Sequence, residues 1–389
     1  MERDPVIVSA VRTAIGRQGG ALAPLQAHEF GAVAIRKAIE RAHITPEEID
    51  DVIMGNVLSG GGNIARLTAL ATGLSMEIPG LTIDRQCGSG MNAVALAAQA
   101  IRAGDGDVYV AGGIESMSRA PYLMDRPTKA YSAAPPRFRS SMLSTKEIGN
   151  PPMGITAENL VKKYGITREE QDQFALRSQQ RMARAMQEGL FAEQIVPVNV
   201  PARKGEYQTF AIDEHPRPQT TLEGLTSLPP AFLEGGTVTA GSSSGLNDAA
   251  SALVIMSREK ADSLGLKPLA VVRQHAVAGV DPNIMGIGPV PATRKLLEKT
   301  GMALDEIDLI ELNEAFAAQV IACDRELNMD SEKLNVNGGA IAHGHPLGAT
   351  GAILVTKALY ELQRRQGRHA LITACIGGGQ GIAVLIERE

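Results

Sequence analysis

Tryptophan is absent from the 389-residue sequence, and aromatic side chains make up only 3% of it. No stretch interleaves basic and aromatic residues, so there is no platform for stacking nucleic-acid bases and no nucleic-acid partner is expected. Cysteine is scarce as well. Cys87, Cys323 and Cys375 lie far apart, which excludes a disulfide framework and any CxxC metal spacing. No apolar run approaches the roughly 18 residues that a bilayer-crossing helix needs. The start, Met1-Glu2-Arg3-Asp4-Pro5, lacks the basic and apolar regions of a signal peptide. A cytoplasmic protein without membrane insertion is expected, in which a special cysteine would be catalytic.

What is present is ordinary for a globular chain of two or more packed units: hydrophobic residues form 44% and charged ones 21%, which argues against long disorder. The net charge of −5 is unevenly spread. Residues 118–230 hold fifteen Lys/Arg against twelve Asp/Glu, so this segment is positive within a negative chain. A phosphate-bearing ligand suits that asymmetry, and so does a solvated surface.

The beginning and end of the chain read as two copies of one pattern. Glu47-Glu48-Ile49-Asp50 leads into Val52-Ile53-Met54, as Asp305-Glu306-Ile307-Asp308 leads into Leu309-Ile310. Leu81-Thr82-Ile83 precedes a glycine-rich turn and a helical stretch, and Leu334-Asn335-Val336 does the same. Asp107 to Gly113 then corresponds to Ala370 to Cys375. Alternating short apolar strands and helices call for a mixed or parallel sheet covered on both faces. The stretch Met91–Ile101, almost without charge, predicts a helix buried on every side between two sheets. The halves are read as 1–117, completed by 231–268, and 269–389. Between them, 118–230 is an inserted loop domain. Its one clear helix is signalled by a capping box at Thr167 and Glu170 and a stop at Gly189.

Three glycine-flanked positions carry the candidate chemistry. Cys87, in Asp84-Arg85-Gln86-Cys87-Gly88-Ser89-Gly90, falls between a strand and a helix. There, backbone N–H groups and the helix dipole favour a thiolate; alone, it reads equally as a small buried hydrophobe. His345 lies in the glycine-rich run 338–351 and can activate a thiol or simply hold a loop. With His343 it forms a His-x-His pair, but no third ligand cluster supports a metal. Cys375 heads Cys375-Ile376-Gly377-Gly378-Gly379, where glycines would expose the thiol and leave backbone N–H donors open; a tight turn between strands is the other reading. Asn313, in Asn313-Glu314-Ala315-Phe316, can orient a water or a histidine, or cap a helix.

Taken together in this order, the four motifs resemble those of the thiolase family, and the resemblance runs from Ala10-Val11-Arg12-Thr13 through Gly112 to Ser118 and on to the carboxyl terminus. It implies a layered αβαβα fold of two similar halves with an inserted loop domain, and a homodimer or homotetramer. It implies acyl transfer between CoA and a cysteine, with Claisen condensation of acetyl-CoA or thiolytic cleavage of 3-ketoacyl-CoA, as in fatty-acid metabolism and β-oxidation. CoA is then a substrate, and no cofactor or metal is implied. By the motif match Cys87 is the nucleophile, His345 takes its proton, and Cys375 is the acid/base at the alpha carbon. Asn313 holds a water that, with His345, stabilises the enolate oxygen. The N–H groups of Cys87 and Gly377 form a second oxyanion site. Arg217 would lie near the adenine-phosphate end of CoA and Ser244 near its arm, with Phe232 and Met153 lining the acyl pocket. Two departures stand out: Pro152 occupies a position where many acetoacetyl-type members carry histidine, and residues 126–150 differ from the family's tetramerisation loop.

A decarboxylating ketoacyl synthase-type condensing enzyme is the nearest rival. It would use two histidines where this chain offers His345 and Cys375. A silent CoA- or lipid-binding scaffold has no support, because all four motifs are intact.

Overall fold

The computed structural model describes residues 3–59, 61–127, 129–131, 135–202 and 205–389. Met1 and Glu2 of the amino-terminal reading, and 128 and 132–134 within the segment 126–150, lie outside them. Nine strands build the core: β1 (Pro5–Thr13), β2 (Asp51–Gly55), β3 (Gly80–Ile83), β4 (Val108–Ser116), β5 (Asn247–Ser257), β6 (Ala270–Gly279), β7 (Leu309–Leu312), β8 (His369–Ile376) and β9 (Gln380–Arg388). The first half runs β3-β2-β4-β5-β1 and the second β7-β8-β9-β6. In each half the pairs nearest the outer edge are parallel and the remainder antiparallel. The halves join where Val6 and Ile7 of β1 meet Val271 and Ala270 of β6.

The helices are α1 (Ala27–Ala42), α2 (Ile64–Thr72), α3 (Ser89–Ala103), α4 (Met153–Tyr164), α5 (Arg168–Gln187), α6 (Pro289–Thr300), α7 (Ala317–Leu327) and α8 (Leu347–Arg365). Strand alternation decides the layering. Val52, Met54, Val108 and Val110 face a core shared with α1 and α2. Their neighbours Ile53, Tyr109 and Ala111 face α3 and α8, together with Ala370, Ile372 and Ala374 of β8. Leu371 and Leu385 face the opposite way, towards α6 and α7. Because side chains alternate along a strand, both sheets are apolar on both faces, and five layers result. This is the αβαβα arrangement. Helix α3 is buried along most of its length, but Gln99, Arg102 and Ala103 are exposed, so burial on every side holds only for its amino-terminal part.

One predicted strand is replaced. Leu334-Asn335-Val336 makes a single bridge to β7, because Asn335 turns into the left-handed region at φ 44°. Its side chain takes over the ladder: Oδ1 accepts from the Leu312 N–H at 2.8 Å and Nδ2 donates to the Leu312 carbonyl at 2.8 Å. An amide mimics a backbone peptide unit, so pairing persists while the chain leaves the sheet.

In the insertion the capping box forms in both directions between Thr167 and Glu170, and the chain turns at Gly189 (φ 70°) after α5. Helix α4, starting after Pro151-Pro152, escaped the sequence pattern. A buried ion pair ties the insertion to β1: Arg12 donates to both oxygens of Asp213 at 2.7 and 2.9 Å and lies over the Phe191 ring. Among the described residues no helix is long and apolar enough to cross a membrane.

Candidate active site

The turn between β3 and α3 presents Cys87. Gln86 stands in the left-handed region at φ 45°, held by its N–H to Asp84 Oδ1 at 2.8 Å, while Ser89 Oγ donates to the Gln86 carbonyl at 2.6 Å. A side chain at Gly88 would meet Ile376 Cδ1 at 2.6 Å, so the turn lies flush against the strand that carries Cys375. Although Cys87 as a residue is partly exposed, its sulfur is enclosed. Burial pushes the thiol up to about 11, and the carboxylates of Glu115 and Asp84 add to this. The backbone N–H groups of Gly377 and of Cys87 itself pull the other way and lose. The helix start therefore does not make a resting thiolate, contrary to the sequence expectation, because desolvation outweighs the aligned N–H groups.

Cys375 lies at the end of β8 in a hairpin whose Gly378 and Gly379 take φ values of 84° and 83°. Its thiol is fully buried. The glycines expose backbone N–H groups and not the sulfur, so the expectation of an exposed thiol fails: Phe316, Ala315 and Met285 cover it. Burial, then the neighbouring Cys87 sulfur, raises its pKa well above that of an ordinary thiol.

His345 is held on both sides. Its backbone N–H donates to Asn247 Oδ1 at 2.9 Å. Its Nδ1 meets Thr350 Oγ1 at 2.7 Å, and that hydroxyl in turn donates to the Pro346 carbonyl at 2.9 Å. A hydroxyl has one proton, so Thr350 accepts from Nδ1–H and leaves the Nε2 lone pair facing Asn313 Nδ2 at 3.3 Å. Burial lowers His345 to about 4, so it is a neutral base at pH 7. Asn313 does not cap helix α7, whose amino-terminal cap is Phe316. Asn313 Oδ1 is buried without a protein partner. Among the described residues no hydrogen bond joins His345 to either thiol. Asn313 and His345 form one group and Cys87, Gly377 and Cys375 another; Ala315 and Phe316, which follow Asn313 in the chain, pack on Cys375.

A cleft of about 600 Å³ opens through the insertion beside these groups. Arg217, Phe232 and Ser244 line it, and Arg217 is its one fixed cation among the described residues. Met153 lies outside its walls but packs with Cys375 and Phe316, and the Phe232 ring meets Phe316 edge-on at 5.9 Å. The Ser244 N–H donates to the Ala315 carbonyl at 3.0 Å and Leu246 bridges to His345, so the loop 243–246 connects cleft and histidine. Gly245 leaves room for the His215 imidazole, which a side chain would overlap. Among the described residues no group of three His, Cys, Asp or Glu is placed to hold a metal.

Sequence reasoning passed over Thr350, Asn247 and His215. Thr350 sits inside the glycine-rich run 338–351, His215 two residues before Arg217 and Asn247 three after Ser244, yet only the fold brings them to His345 and the cleft. Thr350→Val removes the acceptor of Nδ1–H without changing volume. We expect kcat to fall ~10-fold while the KM for CoA stays unchanged, read by steady-state kinetics; a matched rise in KM would make Thr350 a packing residue.

The chain matches the family model for the thiolase amino-terminal domain over residues 5–259 and that for the thiolase carboxy-terminal domain over 266–388. It is 51% identical to the acetyl-CoA acetyltransferase of Escherichia coli K12, across 98% of each chain. It superposes with a TM-score of 0.95 on the crystal structure of the Bacillus anthracis acetyl-CoA acetyltransferase, at 45% identity and 99% coverage of both chains. For human mitochondrial 3-ketoacyl-CoA thiolase in complex with CoA the TM-score is 0.93 at 43% identity, covering 100% of this chain and 98% of that one.

Proposed function

Since the chain belongs to the thiolase family, we propose that Cys87 is the thiol it acylates, that His345 is the base for that step and that Cys375 moves the proton at the alpha carbon. The protein is an acetyl-CoA C-acyltransferase, and the ketoacyl synthase reading is not favoured. One observation carries the assignment of roles: two enclosed thiols, one from each half, lie close enough to act on each other, and the neutral imidazole of His345 presents its Nε2 lone pair to the Asn313 amide.

The thiol–imidazole pair rests uncharged, so charge develops only as the sulfur attacks a thioester carbon. His345 takes the proton at Nε2, and the Cys87 and Gly377 N–H groups face the tetrahedral oxyanion. As the C–S bond to CoA breaks, Nε2–H returns that proton to the departing CoA sulfur, which leaves the S-acyl enzyme and a neutral His345. In condensation Cys375, a thiol at rest, first yields its own proton to His345 Nε2. Its thiolate then takes the alpha proton of a second acetyl-CoA, whose carbon attacks the acyl group, and the departing Cys87 sulfur takes the proton back from Nε2. Cleavage runs these steps in reverse. The enolate oxygen accepts from Nε2–H, which His345 carries at this stage, and from a water whose other proton Asn313 Oδ1 accepts.

CoA is substrate and not resident cofactor. We assign residues 118–230 as its clamp, with 1–117 plus 231–268 and 269–389 as the catalytic halves. Arg217 faces the phosphates, Ser244 the arm, and Phe232 and Met153 the acyl group. A homodimer or homotetramer is proposed from the unpaired outer edge of β3, with exposed Leu67, Leu70, Met76 and Leu81 beside it. A cytoplasmic location follows from two thiols that work only when reduced.

CoA-dependent loss of 3-ketoacyl-CoA, followed over a range of acyl chain lengths, tests the activity and its specificity. For the clamp, Arg217→Ala should raise the KM for CoA ~10-fold while a pantetheine analogue without the nucleotide is scarcely affected. Equal losses for both would make Arg217 structural.

A further inference from the structure

Buried behind Cys87, and unused in the steps above, is the carboxylate of Glu115 at the end of β4, without solvent exposure. Its Oε1 accepts from the N–H groups of Leu58 (3.1 Å) and Ser59 (3.0 Å), from Ser59 Oγ (2.6 Å) and, at 3.4 Å, from Asn56 Nδ2. Its Oε2 accepts from the N–H groups of Val57 (3.1 Å) and Gly348 (2.9 Å). Five of the six contacts come from N–H groups, which can only donate, and the sixth from the Ser59 hydroxyl, whose oxygen already accepts from Ser116 N–H and Asn56 Nδ2. Burial raises its pKa, and the ring of donors opposes this by favouring the anion.

The last of these contacts crosses between the halves. Gly348 is in the first turn of α8, three residues after His345, whereas every other partner belongs to the first half. The carbonyl of Gly348 is gripped as well: side chains at Gly55, Gly90 or Gly113, all of the first half, would each collide with it. The start of the helix that presents His345 is thus seated in a glycine cradle of the half that presents Cys87, and Glu115 closes the cradle on its N–H side.

We propose that Glu115 is a positioning residue that registers the His345 half-site against the Cys87 half-site. The charged or titratable groups facing the Cys87 sulfur are Glu115 from β4, Asp84 from its own turn and Cys375 from β8. The two carboxylates raise the Cys87 pKa, and of them only Glu115 also bonds to the second half, to which Cys375 itself belongs. The inference rests on the roles proposed for Cys87 and His345.

Two variants test the registration. In Glu115→Gln the amide oxygen serves the four donors at Oε1, so the NH2 faces Val57 and Gly348 and the clamp opens. We expect kcat for cleavage to fall ~10–100-fold with the KM for CoA unchanged. Glu115→Asp keeps the carboxyl group but is one methylene too short to span Ser59 and Gly348. It should lose kcat as well. Wild-type kcat in a folded Glu115→Asp overturns the registering role, whatever Glu115→Gln does. Failure of the underlying roles looks different: Cys87→Ala would then still form an acyl-enzyme.

Discussion

Replacement of Cys87 by alanine is expected to remove the acyl-enzyme altogether. Wild-type protein incubated with acetyl-CoA should gain one acetyl mass on the Cys87 peptide and release free CoA; Cys87→Ala should gain none. Its turnover should fall by ~10⁴-fold or more, the scale seen when a covalent nucleophile is deleted. Burial holds the thiol near 11, so roughly one site in 10⁴ carries a thiolate at pH 7. The acylation rate therefore depends on His345 as base. Because burial lowers His345 to about 4, the lone pair is available across neutral pH and is lost only as pH falls towards that value. Single-turnover acylation should be flat from about pH 5 to 8 and decline below. A decline centred near 6.5 would mean that His345 is not held neutral by its surroundings, and persistent acylation in Cys87→Ala would place the nucleophile elsewhere.

The second large effect divides the two thiols by half-reaction. Cys375 is proposed only to move a proton at the alpha carbon, so Cys375→Ala should leave acylation of Cys87 by acetyl-CoA largely intact. Carbon–carbon bond formation and cleavage should drop by ~10²–10⁴-fold, as for a lost positioned acid/base. Cys375→Ser should lie between, since a hydroxyl keeps the geometry but is a far poorer acid. Intact mass reports the first half-reaction and disappearance of the 3-ketoacyl-CoA signal the second. Cleavage near the wild-type rate would transfer both proton steps to His345 or a water. Loss of acylation too, in a folded variant, would mean that the thiols act as one unit, which their contact permits: the Cys87 sulfur already contributes to the raised pKa of Cys375. Removing a fully buried side chain also leaves a cavity, so thermal unfolding should accompany both assays.

Much of this site is legible in the residues. A cysteine between glycines at a strand-to-helix junction, a histidine in a glycine-rich turn and a second cysteine before three glycines are local patterns. Each requires a backbone that only certain residues allow, such as φ values near +84° at Gly378 and Gly379. The internal repeat is legible for the same reason, because strand and helix periods are written in neighbouring residues. Thr167 and Glu170 close their capping box three positions apart.

What the tertiary structure decided is everything that depends on what stands opposite. The reading of Cys375 as an exposed thiol failed because exposure is set by Phe316 and Met285, distant in sequence and packed over the sulfur. The expectation of a thiolate at Cys87 failed because desolvation is a property of the enclosure and not of the turn. Leu334-Asn335-Val336 has the composition of a strand, yet an Asn335 side chain that pairs with Leu312 lets the backbone depart. The partners that give His345 its tautomer and place, Thr350 and Asn247, and the carboxylate of Glu115 are ordinary residues in their own segments. Sequence alone determined which backbone shapes and which reactive groups this chain carries, because those follow from each residue and its near neighbours. Burial, protonation and the facing of one half by the other were decided only by the fold, because they arise between groups far apart in the sequence, such as Glu115 and Gly348, which are 233 positions apart.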